Sequence, residues 1–179
     1  VSKHTKETLQ LLKDNNIYPT WVQIGNETSN GMLWEMGDNH KHMDQYVGLS
    51  NAGYDAVKSI FPKTICIVHL DNGFDKSLYS RVFDGMKQYS GRYDLIGMSL
   101  YPYWAAKTDA KLTPNIILKD CMDNINYIYK KYKKECMIVE TGTEVSTPES
   151  SRTFLMNLME QAKANSHCKG VIYWEPECE

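Results

Sequence analysis

The sequence predicts an α/β protein whose strands run parallel, as part of a (β/α)8 barrel. Three observations predict it. Helical and strand segments alternate along the whole chain, and such alternation makes right-handed βαβ units in a parallel sheet. The strand segments are nearly continuous apolar runs with little in/out alternation, the mark of strands covered on both faces. Strands recur roughly every 30–45 residues, close to the ~31 residues per unit of an eight-unit barrel.

The elements follow in order. Residues 3–15 carry Leu9 and Leu12 at helical spacing and stop at Asn15-Asn16. TWVQIGN reads as the first strand. HMDQYVGLSNAGYDAVKSIF has apolar residues at 46, 49, 53, 56/57 and 60, a helix closed by Pro62. TICIVHL is the second strand. Residues 76–89 read as a helix with Leu78, Val82, Met86 and Tyr89 inward, stopped at Ser90-Gly91. DLIGMSLY is the third strand. Thr113-Pro114 joins an N-cap to a proline at the first helical position. That helix sets Ile117, Cys121, Ile125, Ile128 and Tyr132 on one face. CMIVET is the fourth strand. Thr147-Pro148-Glu149 repeats the cap pattern and opens a helix ending near Ala164, and GVIYWE is the fifth strand.

A chain of 179 residues can bury one real core. Its hydrophobic content of 42% and charged content of 23% are ordinary for a globular domain. A net charge of −2 without a basic run makes nucleic acid an unexpected partner. No apolar stretch approaches a membrane span. The opening VSKHTKETLQLL carries no signal-peptide pattern, and its start at Val1 leads us to expect an upstream part. No GxGxxG or P-loop follows a strand, which disfavours dinucleotide binding. The five cysteines form no CxxC pair and have no histidines at zinc spacing, so no metal site is expected. Cys66 and Cys136 sit in apolar runs and read as core. Twelve Tyr and four Trp suit a site that binds flat, polar-edged ligands such as sugars.

In a βα barrel the site is built where the strands end. Here the ends read Asn26-Glu27, then His69 and Asp71, then Tyr101-Pro102-Tyr103-Trp104, then Glu140, then Trp174-Glu175. Each apolar run stops at a polar or aromatic group. Singly these have ordinary explanations: a solvated loop Glu, a satisfied core His69, rim or core packing for the aromatics. Two carboxylates ending two different strands, however, form the pattern that paired acid/base chemistry needs.

The stretches WVQIGNETSNGMLW, HLDNG, YDLIGMSLYPYW, IVETG and GVIYWEP resemble family 53 glycoside hydrolases, the arabinogalactan endo-β-1,4-galactanases. The resemblance runs strand end by strand end over nearly the whole chain. It implies a TIM barrel of the retaining-glycosidase superfamily, with residues 1–179 a single catalytic-domain fragment holding barrel strands four to eight. Strands one to three and the helix after strand eight are expected to be missing, so the remainder of the barrel is an expected partner. The resemblance implies Glu27 as acid/base at the end of strand four and Glu140 as nucleophile at the end of strand seven. It implies that Asn26 bonds the sugar 2-hydroxyl, that Tyr101, Tyr103, Trp104 and Trp174 contact or stack on sugar, and that His69 and Asp71 supply polar edges. A retaining double displacement needs carboxyls about 5–5.5 Å apart and no cofactor. A structural calcium, where the family carries one, belongs to the loop after strand eight. An extracellular, cell-surface or periplasmic location is implied as well. One departure stands out: TGTEVSTPE follows Glu140, without the aromatic and Trp usual there. The alternatives are another β-polysaccharide hydrolase, such as a mannanase or xylanase, or a non-catalytic carbohydrate-binding remnant.

Overall fold

The computed structural model describes residues 1–144 and 146–175. Contacts divide the chain into two compact units, Val1–His69 with Ser80–Ile96, and Leu70–Tyr79 with Gly97–Glu179. The elements are α1 (Ser2–Asp14), β1 (Trp21–Gln23), β2 (Gly31–Met32), β3 (Gly37–Asp38), α2 (Met43–Ile60), β4 (Ile65–Leu70), α3 (Lys76–Gln88), β5 (Leu95–Leu100), α4 (Pro102–Thr108), α5 (Pro114–Tyr132), β6 (Cys136–Thr141), α6 (Pro148–Ala164) and β7 (Cys168–Tyr173). Five strands form one sheet in the order β1-β4-β5-β6-β7. Sheet order therefore follows chain order, as successive βαβ crossovers require. β2 and β3 form a separate antiparallel hairpin.

In the first unit, β1 runs parallel to β4 with Trp21 opposite Ile65 and Gln23 opposite Ile67. The expected strand TWVQIGN is cut to three residues, although the ladder continues at both ends through Ile65 N–H to the Thr20 carbonyl and Ile24 N–H to the Ile67 carbonyl. Leu9, Ile24, Val57, Phe61 and Cys66 form a core between α1, α2 and the strands. Asp94 closes the N-terminal end of β4. Its carboxylate accepts the Cys66 N–H at 2.9 Å, the Lys58 ammonium at 2.7 Å and the Tyr54 hydroxyl at 3.2 Å. Burial opposes its charge, but these donors hold the carboxyl below the usual range. From α3, Val82, Phe83 and Met86 are fully buried. Tyr89, expected inward, is 43% exposed because the helix ends at Gln88, one residue before it.

In the second unit, β6 runs parallel to β7 with Thr141 opposite Tyr173. All six residues of β6 are buried, whereas β7, at the sheet edge, alternates between half-buried and exposed. Thr113 caps α5 as expected, accepting the Ile116 N–H on its hydroxyl. The parallel expectation at Thr147 fails: it occupies the cap position of α6 without a side-chain cap bond, its hydroxyl turned to the Glu144 carbonyl. Cys66, Cys121 and Cys136 are buried free thiols, and burial pushes Cys66 up to about 11. Cys178 lies outside the described residues.

Candidate active site

Glu27 sits in the first unit, on a turn that the sequence dictates. Gly25 has φ +79, and a Cβ there would meet Thr28 Cγ2 at 2.6 Å. The chain can therefore swing sharply off β1 only with glycine at this position. Glu27 itself adopts the left-handed region, φ 44 and ψ 55, as the residue before a short 3-10 turn over Thr28–Asn30. A non-glycine residue persists there only when its surroundings fix it. They do. The Glu27 N–H donates to His69 Nδ1 at 3.3 Å. The Thr28 hydroxyl donates to the His69 carbonyl at 3.2 Å and takes a bond from the Tyr46 hydroxyl at 2.8 Å. Burial pushes the Tyr46 hydroxyl up to about 12, so it remains a neutral donor. Arg81, from α3, donates to the Ser29 carbonyl at 2.6 Å and to Asn39 Oδ1 at 2.8 Å, and Asn39 donates to the Thr28 carbonyl at 3.0 Å.

His69 is fully buried at the end of β4. Gln23 Nε2 lies 2.8 Å from the same Nδ1 that takes the Glu27 N–H. Two N–H groups converge on Nδ1, so this nitrogen is the acceptor and the ring carries its proton on Nε2. Burial lowers its pKa to about 4, which keeps the ring neutral near pH 7. Gln23 also donates to Asn26 Oδ1 at 3.0 Å. Asn26 is itself exposed, and an amide whose oxygen is held this way keeps its N–H groups as donors. Gln23 was missed in the sequence reading. The only trace of it there is one amide inside an apolar run.

Glu140 sits in the second unit, as the fifth residue of β6, and is 7% exposed. The Tyr101 hydroxyl donates to its Oε2 at 3.2 Å. Behind Tyr101 the chain leaves no room: a Cβ on Gly142 would lie 3.1 Å from the ring's Cε1. Thr141, the next residue, ties β6 to its neighbours, donating to the Leu100 carbonyl at 2.7 Å while its own carbonyl accepts the Trp174 N–H at 2.8 Å. Asp71 is half-buried just past β4, its carbonyl accepting the Tyr79 hydroxyl at 3.2 Å.

The aromatic segment does not continue β5 as a strand end. Pro102 at the first helical position turns it into α4. Tyr103 and Trp104 then meet edge to face at 5.0 Å, with Lys107 Nζ 4.3 and 5.1 Å from the two rings. Trp104 is 60% and Trp174 50% exposed, so neither is core. In the first unit the structure groups Asn26, Glu27 and His69, and in the second it pairs Tyr101 with Glu140 and Tyr103 with Trp104. The calcium that the resemblance implies belongs to the loop after the last strand, of which residues 176–179 lie outside the described residues.

The model of the family described as Glycosyl hydrolase family 53 matches residues 1–149. Among curated proteins, the probable arabinogalactan endo-beta-1,4-galactanase A of Neosartorya fischeri is 29% identical over 98% of this chain and 54% of its own length. The arabinogalactan endo-beta-1,4-galactanase of Thermothelomyces thermophilus is 28% identical over 97% of this chain and 56% of its own. This chain therefore spans about half the length of these relatives. Among solved structures, one of two fungal beta-1,4-galactanases superposes with TM-score 0.83 at 24% identity, covering 98% of this chain and 57% of the other. The beta-glucuronidase of Bacteroides uniformis superposes with TM-score 0.65 at 12% identity, over 97% of this chain and 21% of the other. These likenesses establish the fold as barrel strands with their crossover helices. With the family model covering most of its residues, the chain belongs to glycosyl hydrolase family 53.

Proposed function

We propose that residues 1–179 act as one catalytic-domain fragment, barrel strands four to eight, of an endo-acting retaining hydrolase of β-1,4-galactan and arabinogalactan. The relatives' printed activities and the family assignment support the substrate class. The observation that carries the mechanism is the separate fixing of two glutamates at strand ends, Glu27 on the His69 turn and Glu140 under the Tyr101 hydroxyl.

Glu140 attacks the anomeric carbon while Glu27 gives its proton to the departing glycosidic oxygen. The C–O bond breaks and a glycosyl ester forms on Glu140. Glu27 then takes a proton from water, the water oxygen attacks the same carbon, and Glu140 is released. Asn26 donates to the sugar 2-hydroxyl, the orientation that Gln23 favours by occupying its oxygen. Tyr103, Trp104 and Trp174 offer faces to sugar rings and Asp71 a polar edge, whereas buried His69 serves the site by holding the Glu27 turn. The chemistry calls for no cofactor. The protein works outside the cell or at its surface, together with the remainder of the barrel. The half-length span relative to the curated relatives favours one rival reading, a carbohydrate-binding piece without catalysis.

The test uses protein expressed from its complete gene on linear β-1,4-galactan, mannan and xylan, alongside Glu27→Gln. Galactan should be cleaved internally. Glu27→Gln should lose most activity on galactan and roughly 10²-fold or less on an aryl galactoside whose leaving group needs little protonation. Equal losses on both substrates count against Glu27 as the acid. Retention of galactan without cleavage selects the binding reading.

A further inference from the structure

The hairpin that follows the Glu27 turn carries a feature the reaction above does not use. Its tip exposes Leu33, Trp34 and Met36 at 57%, 76% and 61%. Isolated surface apolar residues are ordinary, but a Trp this bare within an apolar cluster is not. The hairpin is also braced. Asn39 N–H bonds the Asn30 carbonyl at 3.2 Å, and Gly37 N–H the Leu33 carbonyl at 3.3 Å. Its base, buried Asp38 and Asn39, is tied by Asn39 and Arg81 to Thr28 and Ser29, the residues next to Glu27. The same hydrogen bonds that fix the acid/base turn therefore fix the base of the strand pair presenting Trp34.

We propose that Trp34 is a stacking platform for a hexopyranose unit of the polymer, beyond the units that flank the scissile bond. This rests on the galactanase reading. The indole offers a flat apolar face suited to the C–H face of a pyranose ring. His40 Nε2 and Asn30 Oδ1, joined at 3.0 Å beside the hairpin, are exposed polar groups suited to hydroxyls. Chain continuity with the Glu27 turn commits the occupant to the substrate itself rather than to an unrelated partner.

The experiment compares wild type, Trp34→Ala and Trp34→Phe from the complete gene. It reads retardation in gels containing linear β-1,4-galactan, kcat/KM on galactan and on an aryl galactoside, and the thermal midpoint. Trp34→Ala should weaken retardation about two- to ten-fold, the range of one aromatic stacking contact. Its kcat/KM should fall more on galactan than on the aryl galactoside, Trp34→Phe should keep most of both, and the midpoint should stay near wild type. Unchanged retardation and polymer rate in Trp34→Ala overturn the platform while leaving the galactanase reading intact. Equal losses on both substrates with a lowered midpoint also overturn it, because Trp34 is then a packing residue against another part of the protein. A wild type neither retarded by galactan nor active on it overturns the galactanase reading and the platform with it.

Discussion

His69 shows how one residue's environment sets its chemistry. Two N–H donors converge on Nδ1, and burial removes the water that would stabilise an imidazolium. Its pKa of about 4 lies below the ordinary value of about 6.5 for an unfolded chain. Between those two pH values the unfolded chain binds a proton that the native ring does not, so stability falls as pH falls through this window. The slope from this group is about 1.4 kcal/mol per pH unit, roughly 3 kcal/mol over the window. Urea unfolding measured from pH 7 to pH 4 should show this limb, and His69→Gln, whose carbonyl can still accept the two N–H bonds, should flatten it. An identical pH slope in the variant means that the ring is already charged or solvated in the native state.

The turn from β6 toward α6 shows an element controlling a side chain on another. Gly142 leaves room for the Tyr101 ring, and the Tyr101 hydroxyl reaches Glu140. A methyl group at position 142 would press the ring aside by a few tenths of an ångström and lengthen that bond. Gly142→Ala should therefore lower kcat on galactan roughly three- to ten-fold, the cost of weakening a hydrogen bond to a carboxyl group, with KM little changed. The decisive arm is the double variant. In a Tyr101→Phe background, Gly142→Ala should cost almost nothing more, because the contact it disturbs is already gone. Additive losses would place the effect of Gly142 elsewhere. α4 belongs to the same scale. Its Pro102 start makes the aromatic run that follows β5 a helical turn carrying Tyr103 and Trp104, with Lys107 over both rings.

At the scale of the whole molecule, the sheet was legible because buried parallel strands leave a simple trace. ICIVHL, LIGMSL and CMIVET are continuous apolar runs, and their strands end within a residue or two of the reading. The glutamates at the strand ends were legible for the same reason, since a charge closing an apolar run has few places to go. The support around them was not. Gln23 acts through one amide that no periodicity marks. The hairpin consists of two-residue strands, too short for alternation to register. Arg81 lies 54 positions from Glu27 in the chain (81 − 27) and meets its turn only through the fold. Turns of this kind are set by long-range hydrogen bonds, whereas strands are set by local composition.

The claim on which the rest depends is that Glu140 becomes covalently attached to sugar. A 2-deoxy-2-fluoro-β-galactosyl fluoride slows both chemical steps yet keeps a good leaving group, so a glycosyl ester accumulates on the nucleophile of a retaining enzyme. The complete protein, inactivated with this reagent, digested and sequenced by tandem mass spectrometry, should carry the fluorosugar on Glu140, with galactan protecting against the loss of activity. A label on Glu144 or on Glu27, or steady hydrolysis of galactan with no covalent label, would contradict the account.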